Sequence, residues 1–129
     1  MSKILNNIKN SYKHIFYTLK HYFAFMKLQT TLLGYYKYKF HDLDTVLMYI
    51  FLPFLGTDKI KKIHQKYNAH HIKYTKYLPN YEEAIIDWEC ARITKKDKPL
   101  TARQTFERLD YLTDYQKTKV EKQLIKFNL

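Results

Sequence analysis

The chain has 129 residues and a formal net charge of +11, and 46% of its residues are hydrophobic. This length suits one domain, and the apolar content suffices for a packed core. Only two glycines and three prolines occur, which excludes a glycine-rich phosphate loop and disfavours a sheet of tight hairpins. We therefore expect an all-α fold.

The sequence also predicts the cellular location of the chain and whether it associates with a membrane. The single cysteine, Cys90, excludes an internal disulfide and fits a reducing cytosol. The N-terminus lacks an apolar signal core, and the longest apolar run, residues 46–55, is too short to cross a membrane. We expect a cytoplasmic protein without a membrane partner.

The basic charge is carried by 20 lysines and only three arginines. Lysine reads base edges less well than arginine, and the lysines are spread through every segment. The charge therefore favours a phosphorylated small molecule as substrate, with nucleic acid as the alternative partner.

The first predicted helix runs from Ser2, which can cap it, to about Leu28. Its predicted inward stripe, at helical spacing, is Ile4, Ile8, Tyr12, Ile15, Leu19, Tyr22 and Met26. His14 and His21 lie on the opposite face, which also becomes apolar from Tyr22 onward. We expect His21 to be buried and His14 to remain in solvent.

Residues 30–40 are aromatic and basic and predict either a short helix or a loop. The next helix is expected from His41 to about Phe51, ending near Pro53. A further helix is expected from residue 57 or 58 to about Tyr74. Its predicted inward stripe is Ile60, Ile63, Tyr67, His70 and Tyr74, flanked by His64, Asn68 and His71.

Pro79-Asn80 predicts the start of another helix, with Asn80 and Glu83 as a capping pair. The predicted inner face consists of Ala84, Trp88 and Ala91, with Asp87 at its border and Cys90 as a small buried residue. Glu82 and Glu89 are expected to be solvated charges, whereas Glu83, one turn before Asp87, is expected to shape a polar pocket.

Residues 95–99 predict a polar loop. Thr101 with Gln104 and Thr113 with Gln116 match capping boxes that open two final helices, the last of which carries Val120, Leu124 and Phe127. The prediction is one domain, residues 1–129, of five to seven helices. Its motif-bearing core spans about 14–100 and its C-terminal helices about 101–127.

Imidazoles and carboxylates occur in an order that suits a metal site. They are His21, His41, Asp42, His64, His70, His71 and Asp87. Nitrogen and oxygen donors without thiolates suit Mn, Fe, Co, Ni, Zn or Mg, and a hydrolytic metal also needs an open position for water. His41 and Asp42 cannot face one way on a regular helix, but they can flank a metal at a helix end.

Each of these residues also has a simpler interpretation. His41-Asp42 can be a helix start, with Asp42 near the positive end of the helix dipole. His21 can be a buried core histidine, and His70-His71 can be a pH-sensitive surface pair. Their common order on three or four helices favours the metal site.

These residues resemble a known family. His21, His41-Asp42 and Asp87 follow the order of the HD-domain metal-dependent phosphohydrolases, all-helical proteins whose His, His-Asp and Asp residues bind a divalent metal. The segment from His21 to Leu100, about 80 residues, is more closely similar to a small uncharacterised phage and bacterial family. Its motifs stand here as His41-Asp42-Leu43, Asn68-Ala69-His70-His71 and Asp87-Trp88.

The resemblance implies a metal-dependent phosphohydrolase that acts on a nucleotide or short oligonucleotide. In it, His21, His41, Asp42 and Asp87 would hold a divalent metal. His70 and His71 would act with Asp42 in catalysis, either completing a second metal site or contacting phosphate and transferring protons. The residues expected to support the ligands or to contact substrate phosphate are His64, Asn68, Glu83, Lys73 and Arg92.

The chain departs from this pattern at one position. Many relatives have a lysine three residues after the His-Asp pair, where this chain has Thr45. Phosphate binding would then fall to Lys73, Lys76 or Arg92. The short chain also leaves open that a second subunit completes the pocket.

Three alternatives remain open at the level of sequence. The chain can be a non-enzymatic basic helical protein that binds nucleic acid or a partner protein. It can also be a degenerate HD fold that binds metal without turnover. If it is an enzyme, the sequence does not distinguish a nuclease from a nucleotidase. If it is phage-encoded, the expected location is the host cytoplasm.

Overall fold

Within the part of the chain that the structure describes, six α-helices and one 3₁₀ helix form the fold, which confirms the all-α prediction. The computed structural model describes residues 2–97 and 99–129, so Lys98, within the predicted loop 95–99, lies outside the described residues. The elements are α1 (Ser2–Leu33), α2 (Leu43–Phe51), the 3₁₀ helix (Pro53–Leu55), α3 (Thr57–Tyr67), α4 (Tyr81–Thr94), α5 (Ala102–Arg108) and α6 (Asp114–Lys126). No helix in these two ranges is long and apolar enough to span a bilayer.

Helix α4 lies at the centre of the fold. It packs against α1 on one side and against α5 and α6 on the other, while α1 also packs against α2, α3 and the 3₁₀ helix. Three consecutive residues of α4, Ala84, Ile85 and Ile86, are fully buried. Because consecutive residues point in different directions around a helix, α4 is covered on several faces. Cys90 is fully buried there, as predicted.

Helix α1 is longer than predicted and continues past Leu28 to Leu33. The buried Gln29 side chain holds the following loop, because its Oε1 accepts hydrogen bonds from the backbone N–H groups of Lys37 and Tyr38. The helix ends where Gly34 takes a positive φ of 84°, and the Gly34 N–H donates to the Thr30 carbonyl. The open choice for residues 30–40 is thus resolved as the end of α1 followed by a loop.

The predicted apolar stripe of α1 is only partly buried. Ile4 and Tyr12 are 49% and 63% exposed, whereas the buried residues of this helix are Ser11, Thr18, His21, Phe25 and Gln29. The helix carries apolar side chains on several faces, so hydrophobicity alone does not select the buried one. The packed face is the one that carries His21, which is buried as expected, while His14 is exposed.

Helix α3 is shorter than predicted, ending at Tyr67 rather than near Tyr74. Asn68 stops it: its backbone is extended, and its side-chain amide donates to the His64 carbonyl in place of a continuing helix. His70 and His71 therefore lie in a turn and not on a helical stripe. Ile63 and Tyr67 are largely exposed, and His64 is buried instead.

The predicted helix caps at Asn80, Thr101 and Thr113 are confirmed, whereas Ser2, the predicted cap of α1, lies within that helix. Asn80 accepts a hydrogen bond from the Glu83 N–H, and capping boxes formed by Thr101 with Gln104 and by Thr113 with Gln116 open α5 and α6. These contacts span only three residues, so the local sequence determines them.

Glu89 was expected to be solvated, but it is only 5% exposed. Its Oε2 accepts a hydrogen bond from the Ala102 N–H at the start of α5, and its Oε1 accepts one from Arg92 Nε, both at 2.8 Å. Glu89 therefore connects α4 to the first turn of α5, where a carboxylate also interacts favourably with the helix dipole.

We expect Glu89→Ala to lower the free energy of unfolding by about 2 kcal/mol, because it leaves the buried Ala102 N–H without a partner. Urea denaturation followed by circular dichroism measures this change. Glu107→Ala, on the exposed face of α5, is the matched control and should stay within about 0.5 kcal/mol of the wild type. Equal effects of the two substitutions would contradict the assigned role of Glu89.

Candidate metal centre

Histidines and carboxylates from α1, α3, α4 and two loops converge beside α4. The residues are His21 on α1, His41 and Asp42 before α2, His64 on α3, His70 and His71 in the following turn, and Glu83 and Asp87 on α4. They form three overlapping groups, within each of which the candidate ligand atoms lie within 4.8 Å of one another. These groups can hold metal ions.

The backbone at Asp42 makes this convergence possible. Asp42 occupies the N-cap position of α2 with φ 58° and ψ 6°, the left-handed region that non-glycine residues rarely adopt. This turn allows the adjacent side chains of His41 and Asp42 to face the same space. The prediction that the pair lies at a helix end is confirmed, with the regular helix beginning at Leu43 rather than at His41.

The first group consists of His21, His41, Asp42 and Asp87. Asp87 Oδ1 lies 2.7 Å from His21 Nε2 and 3.1 Å from His41 Nε2, and these two nitrogens are 3.2 Å apart. Asp42 Oδ2 lies 3.3 Å from His41 Nε2 and 3.5 Å from His21 Nε2. The four residues predicted to bind the metal thus come together around one point.

The second group shares Asp42 with the first and adds His64, His70 and His71. The other carboxylate oxygen, Asp42 Oδ1, lies 2.9 Å from His64 Nε2 and 3.2 Å from His70 Nε2. Each oxygen of Asp42 therefore faces a different set of imidazoles. A carboxylate in this position can bridge two cations.

The spacing of the donor atoms fits a coordination shell. Ligands about 2.1 Å from a metal lie about 3.0 Å apart when they meet at a right angle and about 3.4 Å apart in a tetrahedron. All candidate ligand atoms of each group lie within 4.8 Å of one another, and the seven shortest contacts named above run from 2.7 to 3.5 Å.

Several buried donor atoms here also lack a hydrogen-bond partner. They include Asp42 Oδ1, His70 Nε2 and His71 Nε2. Buried polar atoms are normally satisfied, and each one left unpaired costs free energy. Asp42 Oδ1 meets the imidazoles of His64 and His70, at 2.9 and 3.2 Å. A bound cation would take the place of the imidazole protons beside Asp42 and would pair with His71 Nε2, so the residues present fit a metal ion.

A second set of side chains orients the imidazoles through their Nδ1 atoms. His64 Nδ1 lies 2.8 Å from Asp44 Oδ2, and His70 Nδ1 lies 3.1 Å from Glu83 Oε2. A proton held on Nδ1 leaves the Nε2 lone pair free to bind a metal, which is the usual role of such partners.

Contacts away from the Nε2 atoms orient the rings of His21 and His41. His21 Nδ1 lies 3.5 Å from Thr94 Oγ1. The His41 ring is stacked on Phe25, with ring centroids 3.7 Å apart and an interplanar angle of 8°, and its Nδ1 lies 3.7 Å from Glu83 Oε1. Glu83 thus contacts one imidazole of each main group.

In the absence of metal, protons hold this cluster together. Burial lowers the pKa of His21, but its contact with Asp87 outweighs burial and raises the pKa to about 10. Burial also opposes the charge on His64, yet its contacts with Asp42 and Asp44 raise its pKa to about 9. Burial raises the pKa of Asp42, but the neighbouring His41 holds it well below its usual range.

His71 behaves in the opposite way. Burial, together with the charges of His70 and His64, lowers the pKa of His71 to about 4. Its imidazole is therefore neutral near pH 7, with a free lone pair facing the second group. His71 is the histidine of the cluster that needs to lose no proton before it binds a metal or accepts a proton.

A cavity of about 200 Å³ adjoins the second group of the centre. This cavity is lined by His70, His71, Ile72, Lys73, Tyr74, Trp88 and Tyr111. Two histidines of the second group therefore form part of its wall, and Lys73 lines the same cavity. A small anion entering this cavity would meet the cluster and one ammonium group.

The remaining predicted site residues are placed as follows. Asn68 does not join the donor atoms: its Nδ2 donates to Asp44 Oδ2 at 2.9 Å and so helps to hold His64. Arg92 pairs with Glu89 and is not among the residues that line the cavity. The Thr45 hydroxyl is buried without a partner.

Sequence analysis missed Asp44. In the sequence it is an acidic residue in the first turn of a helix, which the helix dipole alone explains. Its partner His64 is 20 residues further along the chain, and no local pattern indicates that pairing. Comparisons with protein-family models, curated proteins and solved structures return no match, so the centre is interpreted from its own geometry.

The raised histidine pKa values predict how stability depends on pH without metal. The charged imidazoles of His21 and His64 stabilise the folded state through their contacts with carboxylates. An unfolded histidine has a pKa of about 6.5, so this contribution to the free energy of unfolding is complete below that pH. It is lost as the pH rises through the folded pKa values, about 9 for His64 and about 10 for His21. In chelator, the melting temperature should therefore fall between pH 7 and 9.

With Mn²⁺ present the trend should reverse, because metal ligands must be deprotonated and metal stabilises only the folded state. The stabilisation by Mn²⁺, measured as the difference between melting temperatures with metal and with chelator, should grow from pH 6 to 8.5. His14→Gln changes the one histidine outside the cluster and should leave both profiles unchanged. Parallel profiles with and without Mn²⁺ would contradict a metal centre.

The role of Glu83 is testable with its neighbour as control. A glutamine at position 83 lacks the negative charge that faces both Nδ1 atoms, at 3.1 Å from His70 and 3.7 Å from His41, so Glu83→Gln should weaken Mn²⁺ binding by about 10- to 100-fold. Glu82→Gln is matched in chemistry and position, but Glu82 pairs with Lys37 and Tyr38 instead. Isothermal titration with Mn²⁺ should separate the two variants, and an equal loss in both would refute the orienting role.

Proposed function

We propose that this chain is a metal-dependent phosphohydrolase with a two-cation centre bridged by Asp42. The observation that carries the proposal is the position of the Asp42 carboxylate, with Oδ2 facing His21 and His41 and Oδ1 facing His64 and His70. Paired cations joined by a carboxylate are a common arrangement in enzymes that hydrolyse phosphate esters.

The donor set narrows the choice of cation. In the first and second groups, five imidazoles and two carboxylates offer nitrogen and oxygen donors without a thiolate, which favours Mn, Fe, Co, Ni or Zn over Mg. When bound, such cations would supply a Lewis acid for the phosphoryl oxygens and a water of lowered pKa. Asp87 and Asp42 keep 20% and 16% of their side-chain surfaces exposed, so the centre is not sealed from substrate.

The side chains that line the cavity would bind an anionic substrate. Lys73 lines this cavity, and its ammonium group would take the role of the lysine that the resembling family carries at the position of Thr45. His71 is neutral near pH 7 because burial and the charges of His70 and His64 lower its pKa to about 4, and it would meet the substrate as an uncharged imidazole at the cavity wall. The substrate phosphate would be held between these two side chains and the centre.

The resemblance to HD-domain phosphohydrolases agrees with this proposal. It rests on the order of His21, His41-Asp42 and Asp87 and on an all-helical fold. The convergence of the same four side chains in three dimensions supports it. A nucleotide or short oligonucleotide remains the proposed substrate class, because the chain carries a net charge of +11 and phosphate is the group that this charge attracts.

The metal content tests the centre directly. Protein purified without a nickel column and loaded with Mn²⁺ should contain two ions per chain by elemental analysis. Asp87→Asn and His64→Gln should each retain one ion, because each removes a ligand from one group only. Asp42→Asn should lose metal from both positions.

Hydrolysis is measured with p-nitrophenyl phosphate as monoester and bis(p-nitrophenyl) phosphate as diester, which also separates the two reaction classes. Asp42→Asn should lower kcat/KM by more than the roughly 10- to 100-fold that loss of an outer partner causes. Asp114→Asn, an exposed carboxylate on α6, is the control. Two bound ions with no turnover of either ester would leave a degenerate fold that binds metal, and no bound ions would refute the proposal.

A further inference from the structure

The segment that supplies His70 and His71 to the centre also forms a basic and aromatic surface. We call residues 66–78 the Lys-Tyr loop. His70 and Ile72 are buried, whereas Lys73, Tyr74, Lys76 and Tyr77 are exposed. The loop therefore turns metal ligands inward and lysines and tyrosines outward within a few residues of one another.

Backbone hydrogen bonds fix the shape of the Lys-Tyr loop. The Lys76 N–H donates to the Lys66 carbonyl at 2.9 Å and closes the loop at its base, and the Asn80 N–H donates to the Ala69 carbonyl at 2.8 Å. This closure brings together residues that are far apart in the loop. The Lys76 ammonium lies 4.6 Å from the ring centroid of Tyr67 and 5.1 Å from that of Tyr77.

A second lysine occupies the side of the loop nearest the centre. The Lys73 ammonium lies 5.3 Å from the ring centroid of Tyr111 and 5.4 Å from that of Tyr74. Lys73, Tyr74 and Tyr111 line the same cavity as His70 and His71. Lysine ammonium groups that lie over tyrosine rings thus extend from the exposed side of the loop to the cavity that His70 and His71 line.

The rings remain available for a further contact. Tyr67, Tyr74 and Tyr77 are between 47% and 54% exposed. Aromatic rings on which bases stack, next to lysines that follow the phosphates, are the elements by which proteins bind single strands without reading sequence. With only three arginines in the chain, bidentate recognition of base edges contributes little.

We propose that the Lys-Tyr loop and Tyr111 bind single-stranded nucleic acid and direct it toward the metal centre. The delivery of the strand to the metal centre rests on the proposed phosphohydrolase function. Under that function, the substrate is a phosphate ester of a single strand. A cavity of about 200 Å³ admits a phosphate with part of its nucleotide and excludes a duplex. The ligands His70 and His71 lie on the binding loop itself, which places the strand beside the second group.

Binding is tested in chelator, so that no hydrolysis can occur. The probe is a fluorescently labelled oligodeoxythymidylate of twelve nucleotides, followed by anisotropy at two salt concentrations. Since stacking of one base on one ring is worth about 1–3 kcal/mol, Tyr67→Ala and Tyr77→Ala should each weaken binding by roughly 5- to 100-fold. Tyr67→Phe and Tyr77→Phe keep the ring and should bind nearly as the wild type does.

The chain offers a matched control on α6. Tyr115 is 67% exposed and has the Lys119 ammonium 5.3 Å from its ring centroid, but it lies outside the Lys-Tyr loop. Tyr115→Ala should change affinity less than twofold. Lys76→Gln should reduce the slope of log affinity against log salt by about 0.7, the value for one lost phosphate contact to a single strand. Melting curves confirm that each variant is folded.

Two further probes separate stacking from charge. An abasic strand of the same length has the same phosphates but no bases, and it should bind markedly more weakly than the oligodeoxythymidylate. Equal affinity for the two strands, or an equal loss in Tyr115→Ala, would overturn the proposal in favour of simple charge attraction. A loss of binding to phosphatidylserine vesicles in Tyr67→Ala, with strand binding intact, would assign the loop to a membrane surface and equally overturn it.

Failure of the strand-binding proposal can be distinguished from failure of the proposed phosphohydrolase function. Wild-type hydrolysis of bis(p-nitrophenyl) phosphate, together with unchanged strand binding in the tyrosine variants, would refute the binding loop and leave the hydrolase intact. Tyrosine-dependent strand binding without hydrolysis of any ester would support the loop as a binding site and refute the hydrolase.

Discussion

Asp42 holds its carboxylate between two sets of imidazoles, and the elements that carry those imidazoles are arranged around it. A buried carboxylate costs several kcal/mol unless charges or donors compensate it. Here the compensation comes from His21, His41, His64 and His70, which lie on α1, α3 and two loops. The left-handed backbone of Asp42 is the local strain that this arrangement stabilises.

The fold is divided between this polar cluster and an apolar core. The main core lies where α4 meets α5 and α6, with Val120 and Leu124 fully buried. On the other side of α4, buried positions that would otherwise be apolar hold titratable side chains. Proteins commonly give up stability at functional sites in this way, and α4 serves both parts, since Ile85 belongs to the core and Asp87 to the cluster.

The net charge of the chain and the charge of the metal centre's carboxylates have opposite signs. The chain is strongly basic, yet the cluster itself contains four carboxylates, Asp42, Asp44, Glu83 and Asp87. A positive exterior attracts phosphate-bearing ligands, and the carboxylates give the interior a preference for cations. The Lys-Tyr loop connects the two, because its exposed side carries the lysines and its buried side carries His70.

Several features of this protein follow from the sequence by itself. The caps at Asn80, Thr101 and Thr113 were predictable, because each involves contacts within three residues. The helical class and the grouping of His21, His41, Asp42 and Asp87 as candidate ligands were predictable as well, because residue type and order are sequence properties. Only the tertiary structure decided the rest. It turned a face of α1 inward that hydrophobicity did not select, ended α3 at an asparagine amide, buried Glu89 and joined Asp44 to His64. These outcomes depend on contacts between residues far apart in the chain, whose free energies are set by packing and by the pairing of buried charges rather than by local propensity.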